Sequence, residues 1–189
     1  MPDGAASKPT RITSRRVFEG TIYNVRVDQI RMPSGRETVR EIIEHPGAVA
    51  ILAITDDQQL ILVRQYRYAI DSALLEIPAG TCEPAESPVE TARRELTEET
   101  GYDASEIREL RTYYSSAGYS DEHITLVLAT GCRRSTRPPA PDEIDEVTLV
   151  PVRDAPSLLD HGPNQARDAK TLIALSMLIA GLIPLNSRG

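Results

Sequence analysis

Cysteine is scarce in this chain. Cys82 and Cys132 are its two cysteines, too few and too far apart for a zinc ribbon or a disulfide framework, and both read as reduced thiols. Basic charge is in deficit as well: 21 Lys and Arg stand against 28 Asp and Glu, a net charge of −7 with a pI near 5.1. An acidic chain repels nucleic acid phosphates unless it concentrates its arginines locally, so a general DNA- or RNA-binding role is disfavoured. Long apolar runs are missing. The longest, Leu172 to Leu185, contains Ser176, Gly181 and Pro184 and falls short of the ~20 residues that cross a bilayer. Met1-Pro2-Asp3-Gly4 lacks the basic-then-apolar order of a secretory signal, so a cytoplasmic location without a membrane partner is the expectation. His45, His123 and His161 show no metal-ligand spacing. No internal repeat or low-complexity segment is present.

What remains is an ordinary soluble composition: 40% hydrophobic and 26% charged residues, with 14 prolines and 11 glycines that call for many turns. At 189 residues and 20.8 kDa the chain favours one domain, leaves two small ones possible, and can bury a core without disulfides or a structural metal. Residues 1–10 read as a flexible arm. From Ile12 to about Glu44 the residues alternate as strands do, with Tyr23, Val25, Val27 and Ile30, then Val39, Ile42 and Ile43. Pro33-Ser34-Gly35 marks the turn between two strands. Further strands are expected at Ala48–Ile54, Gln59–Tyr66, Leu74–Ile77, Leu110–Tyr114, His123–Ala129 and Val147–Val152, with Asp56-Asp57 turning between the first two. The first of these is apolar throughout, as a strand covered on both faces should be. A short helix is expected near Ala155–Leu159 and a longer one from about Ala166 to Ile179. The pattern predicts an α/β fold, antiparallel hairpins and a sheet flanked by helices.

The clearest helix lies between Ser87 and Gly101. Ser87-Pro88-Val89-Glu90 reads as a capping box with proline at the first helical position, and Gly101 as the C-terminal stop. Val89, Ala92 and Leu96 form its apolar stripe. Glu95, Glu98 and Glu99 share another face. That face is costly: Glu95 and Glu99 are a like-charge i,i+4 pair, worth roughly 0.2–0.5 kcal/mol of repulsion, and they sit at the negative end of the helix dipole. A divalent cation reverses the sign of both effects, and hard ions such as Mg²⁺ or Mn²⁺ prefer carboxylate oxygens. The competing reading is a solvated helix face. Gly80 before the helix fits a turn that needs a permissive backbone. Arg94 is a forked donor able to hold a carboxylate in place.

The segment Gly80 to Tyr102, GTCEPAESPVETARRELTEETGY, resembles the Nudix box, G-x5-E-x7-R-E-U-x-E-E-x-G-U, with U aliphatic. Gly80, Glu86, Arg94, Glu95, Leu96, Glu98, Glu99 and Gly101 fit, and Tyr102 departs by being aromatic. A chance match of the seven fixed residues is on the order of one in a million. REIIEHPGAVAILAI, VRQYRYAI, LLEIPAG and YYSSAGYSDEHITLVLAT are similar to the ADP-ribose pyrophosphatase branch of that family. The resemblance implies a Nudix-type α/β/α sandwich with a mixed sheet over residues 46–189. It also implies an N-terminal antiparallel strand region over 11–45 that exchanges across a homodimer, with the C-terminal helix packing in the dimer too. The implied activity is divalent-metal-dependent cleavage of the diphosphate of ADP-ribose or a related ADP-sugar, giving AMP and a sugar phosphate.

By the same resemblance, Glu95, Glu99 and the Ala79 backbone carbonyl hold the metal, Glu98 contributes directly or through water, and Glu86 is a further ligand or braces the loop. Pro141-Asp142-Glu143-Ile144-Asp145-Glu146 occupies the place of the loop that carries the general base. Glu143 is favoured, with Asp145 and Glu146 as alternatives. Arg67 and Arg40 match phosphate-side arginines, a role that suits a bidentate guanidinium; a surface ion pair is the other reading of each. Glu122 matches a position near substrate or metal, and Tyr23 is either a base-stacking residue or an inward-facing strand tyrosine. Ser116-Ala117-Gly118 stands where the branch typically has Ser-Pro-Gly. That leaves another nucleotide sugar, a dinucleotide cofactor or an oxidised nucleotide open as substrate. A module that senses ADP-ribose without cleaving it is disfavoured because every box glutamate is kept.

Overall fold

The computed structural model describes residues 8–140, 144–160, 162 and 165–185. Their strands and helices sort into two units: one runs up to Pro46 and includes Tyr114–His123, the other holds Gly47–Tyr113 and the chain from Ile124 onward.

In the first unit β1 (Thr10–Glu19), β2 (Asn24–Arg31) and β3 (Glu37–Glu44) form an antiparallel sheet in that order. The Pro33-Ser34-Gly35 turn joins β2 and β3, with Gly35 at a φ of 84° that favours glycine. β1 is a strand the alternation does not separate out, and all 10 of its residues are exposed. Polar side chains hold it in register. Ser14 Oγ donates to Asp28 at 2.6 Å, and Glu44 accepts from Arg16 at 3.0 Å and from Arg26 at 2.8 Å. The segment after β9 joins this unit through Ile43, whose N–H donates to the Tyr119 carbonyl at 2.8 Å while the Asp121 N–H donates to the Ile43 carbonyl at 3.1 Å.

The second unit is built on a mixed sheet. Its strands are β4 (Ala48–Thr55), β5 (Gln59–Arg67), β6 (Ser72–Glu76), β7 (Ala79–Thr81), β8 (Tyr102–Asp103), β9 (Glu106–Tyr114), β10 (His123–Arg134) and β11 (Glu146–Pro151). The central order is β11-β5-β4-β10-β8, with β6 on β5, β7 on β4 and β9 on β10. β4 and β10 run parallel, while β4 pairs with β5 and β7 in antiparallel fashion.

Alternation of Cβ directions explains why β4 has no polar face. Val49, Ile51 and Ala53 join Ala92 and Leu96 of α1 (Pro88–Thr100) in one apolar cluster. Ala50, Leu52 and Ile54 join Ala174, Leu175 and Leu178 of α2 (Ala169–Ile179) in another. Full burial of each large aliphatic side chain contributes roughly 1.5–3 kcal/mol, so the sheet is held from both sides and the α/β/α layering expected for this unit is the one observed.

Helix α1 starts and stops where its residues dictate. The Ser87 N–H donates to Glu90 Oε2 at 2.8 Å, the Glu90 N–H donates to Ser87 Oγ at 3.3 Å, and Gly101 closes the helix at a φ of 67°. Elsewhere the elements shift from expectation. Residues Val152–Leu159 form a 3₁₀ helix, with Pro156 inside it, rather than a short α-helix. Helix α2 begins at Ala169, not Ala166, since the Asp168 side chain caps it by accepting from the Thr171 N–H at 3.3 Å. Both cysteines are free, and burial pushes the Cys132 thiol up to about 12. Among the described residues no helix is long and apolar enough to cross a membrane.

Candidate active site

Helix α1 presents Glu95 and Glu99 one turn apart, and the two carboxylates are not a solvated face: Glu95 is 9% exposed and Glu99 5%. Glu98, between them in sequence, stays half-exposed. The buried pair lies against β7, whose Val49–Gly80 and Ala50–Ala79 pairings place it beside β4. The Ala79 N–H donates to Glu99 Oε2 at 2.9 Å. At Gly80 an added Cβ would fall 1.9 Å from Glu95 Cδ, so the Glu95 carboxylate occupies the space a side chain would need. This close approach is the physical reason for glycine at that position.

Arg94 organises the acidic face. Its Nε and Nη2 donate to the two oxygens of Glu86, each at 3.0 Å. Its Nη1 donates to Glu95 at 2.7 Å and to Glu98 at 3.0 Å, and Nη2 also reaches the Thr81 carbonyl at 3.2 Å. One guanidinium therefore holds three carboxylates. Glu86 accepts further from Thr91 Oγ at 2.9 Å and from the Glu83 N–H at 3.3 Å, which fits a loop brace. The Arg94 hydrogen bonds hold its carboxyl down at about 2.

Glu99 behaves in the opposite way. Burial pushes its carboxyl up to about 8, and the charge of Glu95 adds to the rise. Without a cation this site resists a second negative charge, and with one it accepts that charge readily. The donor set therefore fits a hard divalent ion. Among the described residues no three acidic, histidine or cysteine side chains form a ready cage, so backbone, water and phosphate oxygens would complete the coordination, as Mg²⁺ in particular tolerates.

The other expected site residues are distributed between the units. Arg67, at the end of β5, donates from Nε and Nη2 to Glu76 at 2.8 and 2.6 Å. In the first unit, Arg40 lies exposed on β3 with Nη1 on the Val39 carbonyl at 2.9 Å. Tyr23 does not face inward: it sits in the connection between β1 and β2, 42% exposed, with its ring 5.9 Å from that of Phe18. Glu122 accepts from Ser115 Oγ, and its carboxylate is 3.9 Å from His45 Nδ1. Among the described residues no hydrogen bond or ion pair links Arg40, Tyr23 and Glu122 to one another. Glu143 lies outside the described residues. Of its alternatives, Asp145 donates its N–H to the Arg64 carbonyl at 2.9 Å, and Glu146 opens β11 at 3.6 Å from Arg64 Nε.

One ionic group near Arg67 belongs to no motif in the sequence. Glu76, 1% exposed, also accepts from Lys170 of α2. The available signal was a glutamate inside the apolar strand Leu74-Leu75-Glu76-Ile77.

A buried helix-borne carboxylate pair, steadied by an arginine and set against strand backbone, defines a site for metal-assisted phosphate chemistry. The chain belongs to the NUDIX domain family, whose pattern matches residues 44–172, and it is a Nudix hydrolase; residues 10–43 match the nucleoside diphosphate sugar hydrolase N-terminal domain. Nudix hydrolases generally use divalent metal ions. The chain is 38% identical over 169 residues to an ADP-ribose pyrophosphatase of Bacillus subtilis, covering 88% of this chain and 90% of that one. It is 36% identical over 167 residues to a methanol dehydrogenase activator of Bacillus methanolicus, with the same two coverages of 88% and 90%. A crystal structure of ADP compounds hydrolase superposes with a TM-score of 0.80 at 26% identity, covering 94% of this chain and 95% of that one.

Proposed function

We propose that the protein hydrolyses the diphosphate bond of ADP-ribose or a related ADP-sugar, giving AMP and a sugar phosphate, with Mg²⁺ or Mn²⁺ as its ion. The observation that carries this reading is the buried Glu95–Glu99 pair against the Ala79–Gly80 backbone. The relatives' activities supply the substrate class. When bound, a divalent ion neutralises diphosphate charge and acidifies a water.

The chain's own residues divide the remaining work. Glu95, Glu99 and the Ala79 carbonyl hold the ion, and Glu98 adds a ligand directly or through water. Arg94 keeps Glu95 and Glu98 in place. Arg67 and Arg40 bind the diphosphate, and Glu122 and Tyr23 contact the rest of the substrate. Glu143 takes the proton of the attacking water, a role whose alternatives are Asp145 and Glu146.

The protein acts as a cytoplasmic homodimer in this reading. Support comes from β1, which exposes Ile12, Val17 and Phe18 on the edge strand of the three-stranded sheet. A monomeric mass in light scattering would refute the dimer.

Ala117 in place of the branch's proline favours a second reading, a different nucleoside diphosphate derivative as the preferred substrate. A panel of ADP-ribose, other nucleotide sugars, dinucleotide cofactors and oxidised nucleotides, with Mg²⁺ or Mn²⁺ and chromatographic separation of products, decides between them. AMP plus ribose phosphate as the fastest products supports the first reading.

A further inference from the structure

Glu76 ends β6 in the interior of the second unit, at 1% exposure between Leu75 and Ile77. Burying a carboxylate for stability alone gains little, because a well-packed apolar residue commonly serves as well as a buried ion pair. Its surroundings point elsewhere. Both of its oxygens are taken by the Nε–Nη2 edge of Arg67, at 2.8 and 2.6 Å, a fork that fixes the plane of the guanidinium. The Arg67 side chain nevertheless remains 40% exposed, so its outer edge faces away from the carboxylate that orients it.

Glu76 is itself held from a distant element. Lys170, in the first turn of α2, donates to Glu76 Oε2 and, at 2.9 Å, to Asp168 Oδ2. Thr171 Oγ1 in the same turn accepts the Ile77 N–H at 2.9 Å. Two consecutive α2 residues are thus fastened to two consecutive residues at the end of β6. Although burial alone would raise the Glu76 carboxyl, the Arg67 hydrogen bonds and the Lys170 charge outweigh it and leave it below the ordinary carboxylate value.

We propose that Glu76 is a positioning residue that aims Arg67 at the substrate diphosphate, and that Lys170 locks Glu76 from α2, making the first turn of the C-terminal helix part of the substrate-binding apparatus. The inference rests on the reading of Arg67 as a diphosphate ligand. A guanidinium already fixed in its bound orientation surrenders less side-chain freedom on binding, so loss of Glu76 weakens substrate binding more than it slows the chemical step.

The test compares E76Q, K170Q, K170R, R67A and the E76Q/R67A double variant with the wild-type protein. Steady-state kinetics on ADP-ribose is combined with calorimetric binding of ADP-ribose in EDTA, which needs no turnover. E76Q is expected to raise KM and the calorimetric Kd about tenfold while kcat stays within about twofold. K170Q should raise KM about threefold and K170R should restore it. The double variant should be no worse than R67A, since both changes remove one function. A folded E76Q with wild-type KM and Kd overturns the proposal even if its melting temperature falls. If E76Q does not fold, an unchanged KM in K170Q overturns it instead. An R67A variant with unchanged KM overturns the Arg67 reading and the inference with it, whereas R67A impaired beside E76Q unimpaired overturns the inference alone.

Discussion

Replacing Glu99 by glutamine separates the electrostatics of the site from its packing. The carboxylate is buried and its N–H partner is Ala79 at 2.9 Å; a carboxamide oxygen can accept that same bond, so shape and hydrogen bonding survive. What disappears is a titration. The Glu99 carboxyl has an ordinary value of 4.5 and is pushed up to about 8 in the folded protein. Between those values the unfolded chain carries the charged form and the folded chain the protonated one, so folding takes up a proton. Metal-free stability is therefore fullest below the lower value and falls as pH rises toward the upper one, by about 1.4 kcal/mol per pH unit for complete uptake. Across the window the loss is a few kcal/mol and at most about 5. Glu99→Gln abolishes it. In EDTA, urea unfolding should find variant and wild type similar near about pH 5, and the variant more stable by a few kcal/mol near about pH 8. Added Mg²⁺ should stabilise the wild type at the higher pH and leave the variant unmoved, and the variant should not turn over substrate. A shared pH dependence in EDTA would mean that burial does not oppose the Glu99 charge, and equal stabilisation by Mg²⁺ would mean that Glu99 is not a ligand.

Gly80→Ala should lower kcat about 100-fold and also lower the melting temperature, because the new methyl drives the buried Glu95 carboxylate out of its place beside Arg94; normal kcat would mean that Glu95 has no fixed position to lose. Arg94→Lys loses the forked hold on Glu86 and should weaken Mn²⁺ binding about 10–100-fold by titration with magnetic-resonance detection of free ion. Glu143→Gln should cut kcat by about 10²–10⁴ while sparing KM, and an unchanged rate would pass the proton-acceptor role to Asp145 or Glu146. Ser87→Ala should lower unfolding free energy by about 1 kcal/mol in urea without affecting kcat.

Legibility in the sequence followed how local the determining physics was. Helix α1 was readable to the residue because its capping box and its glycine stop are encoded within a few positions. The two-sided burial of β4 was readable from unbroken apolarity, and the α/β layering followed from it. β1 was not separable, since a strand whose side chains are all exposed has no alternation to show. β7 and β8, at 3 and 2 residues, are too short for any periodicity. The start of α2 was misplaced by three residues because Asp168 caps it through its own side chain, and nothing in the surrounding apolarity marks that choice. At the site, spacing alone put Glu95, Glu98 and Glu99 on one face, but not the depth at which Glu95 and Glu99 lie. That depth depends on β7 passing close enough to exclude a Cβ at Gly80. The Glu76–Lys170 contact joins residues 94 positions apart, and no short-range pattern announces such a meeting.

In the proposed reading, Glu95 and Glu99 are buried together to take up a divalent ion beside a diphosphate. Anomalous diffraction from crystals soaked in Mn²⁺ and ADP-ribose is the decisive measurement for this pair. A manganese peak is expected within coordinating distance of both carboxylates and of the Ala79 backbone, with phosphate density adjoining it. Manganese bound only elsewhere, with both carboxylates left without metal, would show that the pair is not the metal site.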